Sequence, residues 1–186
     1  MEHKGTKQIE TNRLVLRKFK MEDAESVFRN WASDHKVTTY LRWPPHASVK
    51  VTNDILQEWI TSYERDNFYQ WSIVLKDIDE SIGSISVVEQ KEALDIVHIG
   101  YCIGSTWWNQ GITTEAFQAI IPFLFDEVKV NRIESQHDPK NPNSGKVMKA
   151  CSLTYEGTLR EADISNQGIV DASIYALLAK DYHKTK

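Results

Sequence analysis

Cysteine is nearly absent from this 186-residue chain: Cys102 and Cys151 are the only two, and they form no CxxC pair. Each lies inside an apolar segment, which excludes a disulfide framework and a cysteine-rich zinc site and reads as two reduced core thiols of a cytoplasmic protein. Long hydrophobic runs are missing too. The longest, AIIPFLF over residues 119–125, falls far short of the ~20 residues a bilayer requires, and the opening MEHKGTKQIE carries no apolar leader core, so no membrane partner is expected. Nor is positive charge in excess: 22 Lys and Arg stand against 26 Asp and Glu, for a net charge of -4, and the basic residues are scattered singly. That argues against a direct nucleic-acid partner, though not against a nucleotide held by backbone amides. Repeats, low-complexity tracts and Pro/Gly-rich linkers do not occur, which predicts one domain over residues 1–186 with its core at about 10–182.

What is present alternates and repeats with clear periods. RLVLRKF (13–19) reads as a first strand, and MEDAESVFRNWAS places Ala24, Val27, Phe28 and Trp31 on one helical face. A second helix fits 49–65, aligning Ile55, Leu56, Trp59, Ile60 and Tyr63. Trp31, Trp59 and Trp71 read as core, whereas Trp43 precedes two prolines in a loop and is a candidate wall for a substrate groove. YQWSIVLK, SIGSISVVEQ and ALDIVHIGYCIG predict an antiparallel meander, and a helix from about Thr113 to Glu127 follows, kinked or shifted by Pro122. RIESQH is a further strand, NPNSGKVMKACS a short helix with Asn141 at the N-cap and Pro142 after it, and YEGTLREAD and IVDASIYALL form a hairpin across ISNQG. The order β α α β β β α β α β β is that of an α/β (α+β) domain with a mixed sheet of about seven strands and about four helices.

TWWNQGITTEA (106–116) lies between a strand and the long helix. The first amides of a helix lack internal partners and carry partial positive charge, so such a turn suits a phosphate; an ordinary connection, with Gly111 as the turn residue and Thr113 or Thr114 as N-cap, is the alternative. At this point the sequence resembles the GNAT acyltransferase superfamily, in its RimJ/RimL-like branch of ribosomal-protein N-terminal acetyltransferases. The family's pyrophosphate loop, Q/R-x-x-G-x-G/A, matches Trp108, Asn109, Gln110, Gly111, Ile112 and Thr113, and the branch's T-E-A run matches Thr114, Glu115 and Ala116. A second motif, N-x-x-S, matches Asn141 and Ser144, and EGTLR with the later Gly168, Asp171, Tyr175, Leu177 and Leu178 matches the family's tail. Thr113 departs from the usual Gly or Ala, Asn109 from Gly, and Ser152 with Leu153 from Gly-Phe.

The resemblance implies acetyl-CoA as cofactor, held by Trp108 through Thr114, by Asn141 and Ser144, and by the strand around Tyr101, Cys102 and Ile103, beside which its pantetheine arm would lie. It implies direct transfer to an amine acceptor, a protein (ribosomal) N-terminal α-amine or alternatively a small-molecule amine, in a protein that is a monomer or homodimer; a CoA-binding domain without turnover is the reading of another class. Alternation puts Val97, Ile99, Tyr101 and Ile103 on one face of that strand and His98, Gly100 and Cys102 on the other. Gly100 then leaves room for a pantetheine chain or for a large aromatic side chain. His98 stands where the branch often carries Glu and is either the general base for the amine or a structural histidine. Ser144 either caps its helix or, as the motif implies, protonates the departing thiolate. His137 ends a strand beside this turn and is either on the substrate side or a solvated strand end. No metal site is expected.

Overall fold

The computed structural model describes residues 1–184. One eight-stranded sheet runs through it in the order β1-β2-β3-β4-β5-β6-β8-β7. The strands are β1 (Ile9–Glu10), β2 (Leu14–Arg17), β3 (Gln70–Leu75), β4 (Glu80–Lys91), β5 (Ile96–Ile103), β6 (Arg132–His137), β7 (Thr154–Ser165) and β8 (Gly168–Leu178). The helices are α1 (Ala24–Val27), α2 (His35–Thr38), α3 (Val49–Ser62), α4 (Ile112–Pro122), α5 (Pro142–Ala150) and α6 (Ala179–Lys184). The sequence pattern anticipates seven of the strands and four of the helices. It omits the two-residue edge strand β1 and the short α2 and α6, which are too brief to establish a period.

Neighbouring strands are antiparallel except β5 and β6, which run parallel and pair only from Ile96–His98 to Arg132–Glu134. Between them the chain crosses over through α4, whose Ile112, Ala116, Phe117, Ile120 and Ile121 are buried at helical spacing against the sheet. Pro122 has no N–H to continue the ladder, and the chain beyond it relaxes into a wider π-type turn over Phe123–Glu127 in which Val128 N–H reaches back to Phe123 O at 3.1 Å. The opposite face is covered by α1, a second π-type turn at Phe28–Ala32 and α3, with Phe19, Val27, Trp31 and Leu56 in a smaller core.

Candidate active site

The site begins with strand register. After His98 the two parallel strands part: Ile99 through Ile103 have no ladder partner in β6, and the Ser135 hydroxyl donates to Ile99 O at 2.8 Å where they separate. A wedge thus opens toward the C-terminal ends of both strands, the end at which α4 and α5 begin. The alternation predicted for β5 is observed. Tyr101 turns toward α4, packing on Phe117 at 5.8 Å between ring centres, while Cys102 packs against the smaller core on the other face. Gly100 has a different reason from either predicted one. A bulge in β4 between Val87 and Glu89 throws Val88 over it, and a Cβ on Gly100 would lie 2.8 Å from Val88 Cγ1.

At the mouth of the wedge, Asn109 (φ 59°) and Gly111 (φ 73°) adopt left-handed conformations on either side of Gln110. The helix N-cap is Gly111, not Thr113 or Thr114, and no side chain caps the helix. Intrahelical bonding starts with Glu115 N–H to Gly111 O at 3.0 Å, so the consecutive amides from Asn109 to Thr114 have no acceptor among the described residues. Such a run of amides, curved by left-handed residues at the positive end of a helix, makes a concavity for an anion. Trp108 and Gln110 support the turn with their side chains: the Trp108 indole N–H donates to Ile103 O at 3.0 Å and the Gln110 amide to Thr106 O at 3.0 Å. Ile112 is buried under the turn, and Thr113 is half-buried.

Glu115 is the residue whose partners could not be read from sequence. Its carboxylate accepts from the Thr11 hydroxyl (2.6 Å), the Arg13 amide (3.0 Å) and Arg13 Nε (2.7 Å), while Arg13 Nη1 donates to Gln110 O at 2.9 Å. One carboxylate therefore ties the start of α4 and the turn before it to the N-terminal strands. Burial works to raise its pKa, but these hydrogen bonds and the Arg13 charge outweigh it and hold the carboxyl below its ordinary 4.5. A depressed folded-state pKa adds stability above the unfolded value that is lost as pH falls through the folded one. Glu115→Gln should therefore lower Tm by roughly a few degrees at pH 7, with the gap from the unmodified protein closing as pH falls below the ordinary carboxylate range. A gap of constant size in thermal melts across that range would show that the charge is not what stabilises this junction.

On the far side of the wedge, Pro142 starts α5 with Asn141 at the N-cap, as the sequence indicates, but the Asn141 side chain does not cap backbone amides. Its Nδ2 donates to Ser144 Oγ at 3.0 Å, which leaves the serine hydroxyl proton available for a further acceptor. Tyr101 Oη donates to Ser144 O at 3.0 Å, fastening α5 across the wedge to β5. His137 is held with its ring against Gly145 and Tyr175: a Cβ on Gly145 would lie 2.7 Å from His137 Nε2. His137 Nδ1 bonds Asp138 O at 2.8 Å, and the buried Nε2 has no hydrogen-bond partner among the described residues. His137 is therefore not a solvated strand end, because α5 folds back over it.

His98 lies on the opposite face of β5 from Tyr101, level with Glu134 on β6 and Glu89 on β4. Burial lowers its pKa below 6.5, against the opposing pull of the Glu134 and Glu89 carboxylates, so the imidazole is held neutral. Arg42 and Asp163 are near enough to bias it as well and bridge each other at 2.7 Å. Trp43 is half-buried in the adjoining loop, edge-on to Trp31 at 6.2 Å and 5.3 Å from His46. The cysteines are unsuited to carry an acyl group: burial pushes each thiol up to about 12.

Comparison with known proteins agrees with this geometry. The family described as an acetyltransferase (GNAT) domain matches residues 13–154. The protein called uncharacterized N-acetyltransferase p20, from Bacillus licheniformis, is 32% identical over 174 residues, 92% of this chain and 96% of that one. Ribosomal-protein-serine acetyltransferase of Escherichia coli K12 is 27% identical over 137 residues, 73% of this chain and 75% of its own length. Among solved structures, RimL, a ribosomal L7/L12 alpha-N-protein acetyltransferase in complex with coenzyme A, superposes with a TM-score of 0.83 at 20% identity, covering 94% of this chain and 99% of that one. By sequence over three quarters of its length and by fold over nearly all of it, the chain belongs to the GNAT family of acetyltransferases.

Proposed function

We propose that the protein transfers acetyl from acetyl-CoA directly to a primary amine, and that the acceptor is the α-amine of a protein N-terminus. The observation that carries this reading is the run of acceptorless amides from Asn109 to Thr114 at the mouth of the β5/β6 wedge. Amides converging on a helix start suit the diphosphate of CoA, and a sheet edge opened at Gly100–Ile103, around Tyr101 and Cys102, suits the amide groups of its pantetheine arm. The ribosomal character of the acceptor is supported by what the E. coli relative and RimL are named for. A test is to offer acetyl-CoA with a peptide bearing a free N-terminal serine and, separately, with spermidine, and follow thiol release. Release with the peptide is expected; release with spermidine alone would move the acceptor to small-molecule amines, and CoA binding without any release would leave a non-catalytic domain.

The bound thioester supplies an activated acetyl group: a C–N bond forms with the neutral amine, the C–S bond breaks, the amine gives up a proton and the thiolate takes one. An α-amine of pKa ~8 is mostly protonated at neutral pH, so a group that accepts its proton is needed. His98, kept neutral by burial, is that group. Ser144, on the other side of the wedge, donates its hydroxyl proton toward the sulfur while Asn141 Nδ2 holds its oxygen. Much of the remaining acceleration comes from holding amine and thioester together, so few side chains need do chemistry.

A thiol of pKa ~8.5 leaves tolerably unaided, so Ser144→Ala should cost only about tenfold in kcat with the KM for acetyl-CoA little changed. Asn141→Ala should chiefly raise that KM. Because Asn141 also holds the serine oxygen, the double variant should lose less than the product of the two single effects. Steady-state kinetics on the three variants checks this, and strictly multiplicative losses would separate the two residues.

A further inference from the structure

The segment from Thr39 to Ser48 has no helix or strand, yet it is tied down by a residue more than a hundred positions away. Asn166, in the two-residue turn between β7 and β8, directs Nδ2 at Thr38 O (2.7 Å), Leu41 O (2.9 Å) and Trp43 O (3.0 Å), and its backbone N–H donates to Leu41 O at 2.8 Å. The orientation of the amide is set by its Oδ1, which accepts from the Gln167 side chain. A second tie runs parallel to the first: Arg42 Nη2 to Asp163 Oδ1 at 2.7 Å, and Asp163 Oδ2 from Gln136 Nε2 at 2.7 Å, linking the segment through β7 to β6, one wall of the wedge. At its other end the segment is anchored by His46 N–H to Ala32 O and His46 Nδ1 to the Thr52 hydroxyl, each 2.8 Å. Between the anchors lie Arg42, which biases the charge of His98, and Trp43, which like Cys102 packs against the smaller core on the His98 face of β5.

We propose that Asn166 is a positioning residue for the amine acceptor: it holds the Thr39–Pro45 segment, and with it Arg42 and Trp43, as a wall over the face of the sheet that carries His98. The proposal rests on the acetyltransferase reading, with Trp43 lining the acceptor groove. One side-chain amide reaches three carbonyls here, and for Trp43 O it is the one donor among the described residues, whereas Leu41 O also accepts the Asn166 backbone N–H and Thr38 O the Leu41 N–H. Without it the segment keeps its end anchors, the Arg42–Asp163 tie and the Asn166 backbone bond to Leu41 O, but Trp43 O loses the amide that holds it, so the acceptor meets a wall whose Trp43 end must be ordered on binding.

Asn166→Asp preserves size while replacing the side-chain donors by a carboxylate facing three carbonyls; Asn166→Ala removes the side-chain donors without repulsion and leaves the backbone bond to Leu41 O. In the folded Asn166→Asp protein, chymotrypsin at Tyr40 and Leu41 and trypsin at Arg42 should cut faster than in the unmodified protein. The KM for the N-terminal serine peptide should rise about tenfold, with the KM for acetyl-CoA nearly unchanged and Asn166→Ala intermediate. Faster cutting with an unchanged peptide KM overturns the proposal, as does unchanged cutting, and so does an equal rise in both KM values, which would mean general loosening. If the unmodified enzyme releases thiol with neither peptide nor spermidine, it is the acetyltransferase reading that falls; an active Asn166→Asp enzyme with normal peptide KM sinks the positioning proposal alone.

Discussion

A Gly111→Val protein should bind acetyl-CoA roughly a hundredfold more weakly than the unmodified one while remaining folded. The backbone at Gly111 has φ 73°, a conformation that a β-branched residue adopts only at a cost of ~1–2 kcal/mol or more. Space is not the obstacle on the protein side, since the nearest atom that a Cβ at this position would meet is Arg13 Nη2 at 3.7 Å. The turn is also exposed, so strain there need not spread into the core. Two effects then add. Relief of the strain rotates the amides of Gln110, Gly111 and Ile112 away from a common point, and the branched side chain projects from a turn whose use depends on close backbone approach. Gly111→Ala should fall between, because it meets the φ penalty with less bulk. Calorimetric titration with CoA, with a thermal melt of each variant as the fold control, gives the answer. Unchanged affinity in a folded Gly111→Val protein would place the diphosphate elsewhere.

The second large effect belongs to His98. His98→Ala should reduce turnover with the serine peptide by ~10²-fold at neutral pH while leaving acetyl-CoA binding intact. A base must be unprotonated to act, and burial has moved this imidazole below 6.5, so the limb it imposes on kcat/KM rises with pH through a pKa below that of an ordinary histidine. The deficit of the alanine variant should shrink as pH approaches ~8, where the acceptor deprotonates itself. His98→Glu should restore part of the rate. Its new carboxyl would face Glu89 and Glu134, and like charges beside it would raise its pKa toward the range a useful base needs. The measurement is kcat/KM against pH for the three proteins. Profiles that superimpose would return His98 to a structural part and leave the proton to a water chain.

Local pattern alone determined much of this protein. Alternation along IVHIGYCI assigned Tyr101 and His98 to opposite faces of β5, because a pleated strand admits no other arrangement. Asn141-Pro142 marked the start of α5, because cap chemistry there is decided within a few residues, whereas in TWWNQGITTEA the pattern marks the glycine only as a turn, and the cap falls to it rather than to Thr113 or Thr114. Tertiary structure decided the rest. Gly100 is small because a bulge in β4 brings Val88 above it, and a bulge changes register without leaving a period to read. The wedge between β5 and β6 exists because a parallel pairing stops after His98, a matter of how two strands diverge across a crossover. Glu115 looks in the sequence like an ordinary acidic residue near a helix start, and only the fold brings Thr11 and Arg13 beside it. Glu134 beside His98 and the carbonyls around Asn166 likewise come from elements far apart in the chain. Hydrogen bonds and charges act over a few ångströms whatever the sequence separation, so the residues that shape this site's electrostatics and its acceptor wall become identifiable only when the sheet has assembled around them.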